Sequence, residues 1–279
     1  MDSSTGIQVF DTKISHLEYA DDLVLVSSSF DELSRQLERL VTECRRWGLT
    51  VNAAKTKVMT VERSTTSYPG VVLDGTEVER VEGFTYLGHW VAADGSIESE
   101  VKARINRASK SWRSLGGALV GQKQLSGRTK CKLFRAIVVP SLVYGAETWP
   151  ATEGLLKRLD TFQSRCLRRI WGINWWDYIR TEDVLHRSHQ PSVSTIIRRS
   201  RLRWFGHVMR MDEIRLPKRI LDWKPCGTRP RGRPRSRWID LVSQDLCNCG
   251  IQSMEEAKRE AQDRGKWQRL VYGPMRPHP

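Results

Sequence analysis

Asp21 and Asp22 stand side by side between two short apolar runs, residues 14–17 and 23–26. Runs of this length and character predict two strands, with the carboxylates at the tip of the hairpin that joins them. Neighbouring carboxylates repel each other and resist burial, and a divalent cation is the usual compensation. Two such ions about 3.5–4 Å apart can hold an attacking hydroxyl, a phosphorus and a leaving pyrophosphate in line. Mg2+ suits a site of this kind, because it takes a few carboxylates and completes its shell with substrate phosphates. An Asp-Asp pair by itself is more often an ordinary turn or helix cap. Tyr19-Ala20 immediately before it and the flanking apolar runs set this pair apart.

A second concentration of chemistry lies far downstream. The 279 residues carry a net charge of +14. Residues 198–237 hold 14 Lys or Arg against three Asp or Glu, so nearly all the excess sits in 40 residues. Trp204, Phe205, Trp223 and Trp238 are interleaved with that charge. Cations can hold phosphates while aromatic faces stack on bases, so the block predicts a nucleic-acid partner rather than a merely solvated face. Within it, Pro230-Arg231-Gly232-Arg233-Pro234 matches the core of an AT-hook, a flat Arg-Gly-Arg run that enters the narrow minor groove of A·T-rich DNA. Arg229, Arg235 and Arg237 would then contact phosphates. General binding of template or target DNA and a passive basic linker remain open beside that reading.

Other chemistries find little support. Six cysteines, at 44, 131, 166, 226, 247 and 249, have no disulfide rhythm, which points to a reducing intracellular compartment, nucleus or cytoplasm. Cys247 and Cys249 are too closely spaced for an ordinary zinc knuckle, even with Cys226, His186, His189 or His207 to join them. No apolar stretch approaches a membrane span, so no membrane partner is expected.

The elements that position these groups change character along the chain. Up to about residue 92 the pattern is mixed α/β. Ser29-Phe30-Asp31-Glu32 reads as a capping box. Leu33, Leu37, Leu40, Val41, Cys44 and Trp47 then recur at helical spacing until Gly48. Strands are expected at 57–61, at 71–73 and 76–81 around an Asp74-Gly75 turn, and at 84–90. Helices follow at about 97–115, closed by Gly116-Gly117, at 127–139, ending at Pro140, and at 152–171. Trp171, Trp175, Trp176 and Tyr178 are expected to pack beneath the turn that follows. Further helices are expected at 194–210 and 254–271, the last with few apolar anchors. The prolines and glycines of 224–237 exclude a regular helix or central strand there.

Taken in order, these segments resemble the reverse transcriptases of non-LTR, LINE-type retrotransposons. The run from His16 to Leu25 resembles their catalytic hairpin, and Gly48-Leu49-Thr50-Val51-Asn52-Ala53-Ala54-Lys55-Thr56-Lys57 the segment after the next helix. Phe84-Thr85-Tyr86-Leu87-Gly88 is similar to their primer-grip hairpin. The run from Arg203 to Met211, Arg231-Gly232-Arg233-Pro234 and Trp238 resemble the region beyond the thumb. The resemblance implies an α/β palm remnant, a short antiparallel sheet with a packed helix, over 1–92. Thumb-like helices over 93–150 and a mostly helical, basic, nucleic-acid-binding region over 151–279 would follow.

It also implies roles. Asp21 would be the principal metal-binding aspartate and Asp22 its supporting neighbour. Tyr19 would lie beside the primer end. Lys55 or Lys57 would approach the nucleotide phosphates and could protonate pyrophosphate. Tyr86 and Gly88 would support the primer, and Arg203 and Trp204 would touch nucleic acid. RNA template, DNA primer or target, and Mg2+ are the implied partners and cofactor. The family site uses another metal-binding aspartate on an earlier strand, and Asp11 falls at the wrong end of the hairpin to replace it. The expectation is therefore a fragment inactive alone, complemented by an N-terminal polymerase half. A non-catalytic DNA- or RNA-binding protein is the alternative.

Overall fold

Local turn chemistry breaks the first ninety residues into hairpins rather than one sheet. The structure, a computed structural model, describes residues 5–61, 70–223 and 236–273. Two compact units divide at Ser96 and Ile97. The first contains four separate antiparallel pairs: β1 (Ile7–Val9) with β2 (Thr12–Ile14), β3 (His16–Tyr19) with β4 (Asp22–Leu25), β5 (Val72–Leu73) with β6 (Thr76–Glu77), and β7 (Gly83–Tyr86) with β8 (His89–Ala92).

Four strand expectations are corrected; of the stretch 76–81 only Thr76–Glu77 is strand. The run at 14–17 breaks at Ser15, whose carbonyl accepts from the Val26 amide, so its two ends serve different hairpins. Residues 57–61 contribute only a single parallel bridge, Val58 to Arg80. The stretch 84–90 is two strands, because Leu87 and Gly88 both take positive φ and reverse the chain. The Asp74-Gly75 turn forms as expected, with both residues at positive φ.

Helix α1 (Phe30–Arg46) begins where the capping pattern places it: the Ser29 hydroxyl accepts from the Glu32 amide at 3.3 Å. Gly48, at φ +70°, stops it. Leu37 and Val41 bury against Val71, Leu73 and Val78, with Leu25, Phe30, Leu33, Val51 and Val58 around them. Trp47 stays outside this core and is exposed.

Glu32 does not complete the capping box. Its carboxylate instead accepts from the Gly6 amide at 2.9 Å and the Ser27 hydroxyl at 2.5 Å. The Ser27 hydroxyl, then the Gly6 and Ser28 backbone, hold the carboxyl below its usual range. A depressed carboxylate favours the folded state above its unfolded pKa, and this contribution is lost as pH falls through the lower folded value. Protection of the Gly6 amide against hydrogen exchange should therefore fall once the pH is taken below the usual glutamate range. Glu32→Ala should show the low protection at every pH; equal protection in both proteins at neutral pH would rule the tether out.

The second unit is helical: α2 (Glu98–Val120), α3 (Gly127–Val143), α4 (Glu153–Trp171), α5 (Thr181–Ser188), α6 (Val193–Met209), α7 (Leu216–Asp222), α8 (Trp238–Asn248), α9 (Met254–Glu260) and α10 (Arg264–Tyr272). Two expected stops are overridden. α2 continues through Gly116-Gly117, a cost of about 1 kcal/mol per glycine that packing against α3 and α4 outweighs. α3 continues through Pro140. Ala136 and Pro140 lie on the exposed side, where water can take the carbonyl that proline leaves unpaired, while Val138, Val139 and Leu142 hold the inner side. The expected 254–271 helix is two, broken before Asp263, which caps α10. It is also well anchored, with Ala257, Ala261, Trp267 and Val271 buried.

Two apolar cores result. One joins α2 to α5 with the start of α6, through Val101, Phe134, Leu142, Leu159, Leu167 and Ile197. The other joins the end of α6 to α8, α9 and α10, through Leu202, Phe205, Val242, Leu246, Trp267 and Val271. Burying each such side chain fully contributes about 1.5–3 kcal/mol, and α6 belongs to both cores. Buried Gln163 clamps α4 to the entry of α6: its amide donates to the Pro191 carbonyl at 3.0 Å and its carbonyl accepts from the Val193 amide at 2.9 Å.

The aromatic cluster is corrected. Only Trp171 packs, with its indole donating to the Ser188 hydroxyl at 2.9 Å. Trp175, Trp176 and Tyr178 are 79%, 56% and 86% exposed.

Candidate functional site

The Tyr19-Asp22 pairing closes a two-residue turn, Ala20-Asp21, with Ala20 at φ +53°. Asp21 thus sits on the turn and Asp22 opens β4; both are exposed, as is Tyr19. The flanks pair in register, Leu17 with Val24 and Glu18 with Leu23, so the tip closes a continuous two-stranded ladder. No hydrogen bond or ion pair engages the carboxylate of either aspartate among the described residues, leaving those oxygens available. Two accessible carboxylates fit a hard cation that takes its remaining ligands from water and phosphates. Among the described residues no three His, Cys, Asp or Glu side chains gather to hold a metal, so Asp11 is not brought to the pair.

The two candidate lysines differ. Lys57 is engaged by Glu79 at 2.5 Å and is mostly covered. Lys55 follows the Asn52 turn, where its amide donates to the Asn52 side-chain oxygen at 3.1 Å, and its own side chain is exposed. Tyr86 is half-buried at the end of β7, and Gly88 forms the turn into β8.

The basic segment separates into cations facing in and cations facing out. Arg201 is 2% exposed and donates to the Asp245 carboxylate at 2.7 Å. Arg198 bonds Glu153 at 2.9 Å and lies 3.8 Å from Asp245. Arg210 donates to the Ala261 carbonyl at 2.6 Å, and Lys218 to the Met209 and Met211 carbonyls at the end of α6. Arg237 is paired with Asp240 at 2.8 Å at the start of α8, and its side chain remains 48% exposed. Arg203 projects outward. Trp204 is half-buried against the second core and beside His207, so most of its ring is structural. Arg229, Arg231, Arg233 and Arg235 lie outside the described residues.

The neighbouring motifs are packing devices. An added Cβ at Gly206 would lie 2.2 Å from the Trp267 indole nitrogen, which donates to the Leu202 carbonyl at 2.9 Å. Trp238 donates to the Glu147 carbonyl at 2.7 Å. A lone glycine in a helical run and Asp245 between the apolar positions Val242 and Leu246 of α8 were the available signals, and neither names its partner.

Residues 4–91 match the reverse transcriptase (RNA-dependent DNA polymerase) family. A transposon-derived protein of Caenorhabditis elegans is 27% identical over 241 residues, covering 84% of this chain and 85% of that protein. The RNA-directed DNA polymerase from mobile element jockey of Drosophila funebris is 27% identical over 241 residues, covering 82% of this chain but 25% of the relative. A Pol polyprotein from the type-1 retrotransposable element R2 of Popillia japonica is 26% identical over 170 residues. The chain therefore spans about a quarter of the polymerases it matches. No solved structure matches it. The Asp-Asp hairpin lies inside the matched segment, so residues 4–91 are similar to reverse transcriptases. The polymerase relatives come from mobile elements such as jockey and R2, which supports a non-LTR retrotransposon reverse transcriptase.

Proposed function

We propose that this chain supplies the primer-side half of a retrotransposon RNA-directed DNA polymerase, together with a nucleic-acid-binding helical unit. The observation that carries this is the exposed Asp21–Asp22 tip within the reverse transcriptase match. In this reading residues 1–92 are the later part of a palm, 93–150 thumb helices, and 151–279 a nucleic-acid-binding region. Asp21 and Asp22 would hold Mg2+, which when bound supplies hydroxyl activation and charge neutralisation at pyrophosphate. Tyr19, Tyr86 and Gly88 position the primer, and exposed Lys55 meets the incoming phosphates.

Template-directed synthesis needs a further carboxylate beside Asp21, and none of the described residues provides it. The 279-residue chain alone should give no extension of a DNA primer on an RNA template with Mg2+. Supplying in trans a polymerase segment that carries the other aspartate strand should restore extension, and Asp21→Ala should abolish it. Template-dependent extension by the chain alone, lost in Asp21→Ala, would overturn the expectation. A non-catalytic nucleic-acid-binding role is the reading left if complementation fails while binding persists.

A further inference from the structure

α4 has two unlike faces. Leu156, Leu159, Cys166, Leu167 and Ile170 are buried on one, whereas Lys157, Arg165 and Arg169 are exposed on the other. No carboxylate pairs with these three among the described residues. The helix ends at Gly172, at φ +65°, and runs directly into the short 3-10 turn Trp175–Asp177.

That turn is tightly fixed although its aromatic rings are bare. Asn174 and Asp177 cap each other, the Asn174 amide donating to the Asp177 carboxylate at 2.7 Å. Arg168 donates to the Ile179 carbonyl at 2.6 Å, and Ile173 and Ile179 anchor the two ends in the first core. Between these anchors Trp175 and Trp176 stand edge to face at 5.7 Å. Tyr178 takes φ +51°, a conformation that disfavours an aromatic residue by about 1 kcal/mol or more. Collapse of these rings onto the core would be the cheaper outcome for a mere connection. Arg180 follows the turn and is exposed; Glu182 and Asp183, in the first turn of α5, are the acidic neighbours.

We propose that the outer face of α4 and the Trp175-Trp176-Tyr178 turn form a binding site for single-stranded nucleic acid. Unpaired bases stack on the exposed rings while Lys157, Arg165 and Arg169 hold the phosphates that lead to them. Stacking tolerates any base and requires bases free of a partner, which a duplex does not offer. The proposal rests on the nucleic-acid reading above, but assigns binding to a surface outside the 198–237 block.

The test uses the full 279-residue chain and fluorescence anisotropy with a labelled RNA, single-stranded or as a blunt duplex, over a range of salt. Trp175→Ala/Trp176→Ala should weaken single-strand binding by about tenfold or more and leave duplex binding and the thermal melt unchanged. Arg165→Gln/Arg169→Gln should lower the single-strand salt slope by about 1.4. Unchanged single-strand affinity in the tryptophan variant overturns the site. So does a variant that loses only self-association in sedimentation, or only adsorption to anionic phosphatidylserine vesicles. If the unmodified chain binds neither RNA form at moderate salt, the nucleic-acid reading itself fails, which is a separate result.

Discussion

Replacing Asp245 by alanine should destabilise the helical unit by about 3–5 kcal/mol, the usual loss on breaking a buried ion pair. Arg201 and Asp245 meet at 2.7 Å with 2% and 3% of their side-chain surface exposed. Burial pushes the Asp245 carboxyl up and the Arg201 guanidinium down, each opposed by the charge of the other. Desolvation is thus the larger influence on both, and the pair is held in place more than it holds. The Nε and Nη2 of Arg201 also lack hydrogen-bond partners among the described residues. Removing the carboxylate leaves a buried cation with only the weaker, more exposed Glu153 carboxylate to offset it. Replacing both, as Arg201→Met/Asp245→Leu, should recover most of the loss, because similar volumes then fill the site without desolvated charge. Urea melts of the two single variants and the double variant decide this. Single losses under about 1 kcal/mol would mean that the pair is open to water.

The second large effect lies in the core that joins the end of α6 to α8, α9 and α10. Trp267→Ala should cost about 3–5 kcal/mol, the usual range for emptying a buried tryptophan site. Gly206→Ala adds a methyl where the indole already lies, and overpacking of this kind costs about 1–3 kcal/mol, against roughly 1 kcal/mol returned by the better helix propensity of alanine. In the Trp267→Ala background the obstruction is gone, so the same Gly206→Ala change should become stabilising. A sign reversal across the double-mutant cycle is the expected signature. Equal effects of Gly206→Ala in both backgrounds would show that the indole is not what confines residue 206.

The sequence made some features plain because their causes are local. The Asp-Asp hairpin, the Ser29 cap, the Gly48 stop and the Asp74-Gly75 turn are decided by residues within a few positions of one another, and each stands where the pattern puts it. Long-range packing decided the rest. Nothing near Gly116 or Pro140 announces that neighbouring helices will carry α2 and α3 past them. Glu32 abandons its own helix end for Gly6, 26 residues away. Above all, Trp175, Trp176 and Tyr178 look like core from their composition and stand in solvent because Ile173 and Ile179 take the interior positions on either side. The candidate site was legible as residue types at a turn; which lysine remains accessible was settled by Glu79, a residue with no motif to mark it.

The inward turn of Arg198, Arg201, Arg210 and Lys218 bears on how the basic segment can be dissected. A charge-to-alanine scan through it would collect two phenotypes under one heading. Arg203 and Arg215 report on a partner, since they project outward, whereas Arg201 and Lys218 report on whether the scaffold survives. Loss of binding would then track loss of folded protein at the inner positions and remain independent of it at the outer ones. Formal charge, summed along the sequence, overstates what an approaching polyanion meets: part of that charge is mortar.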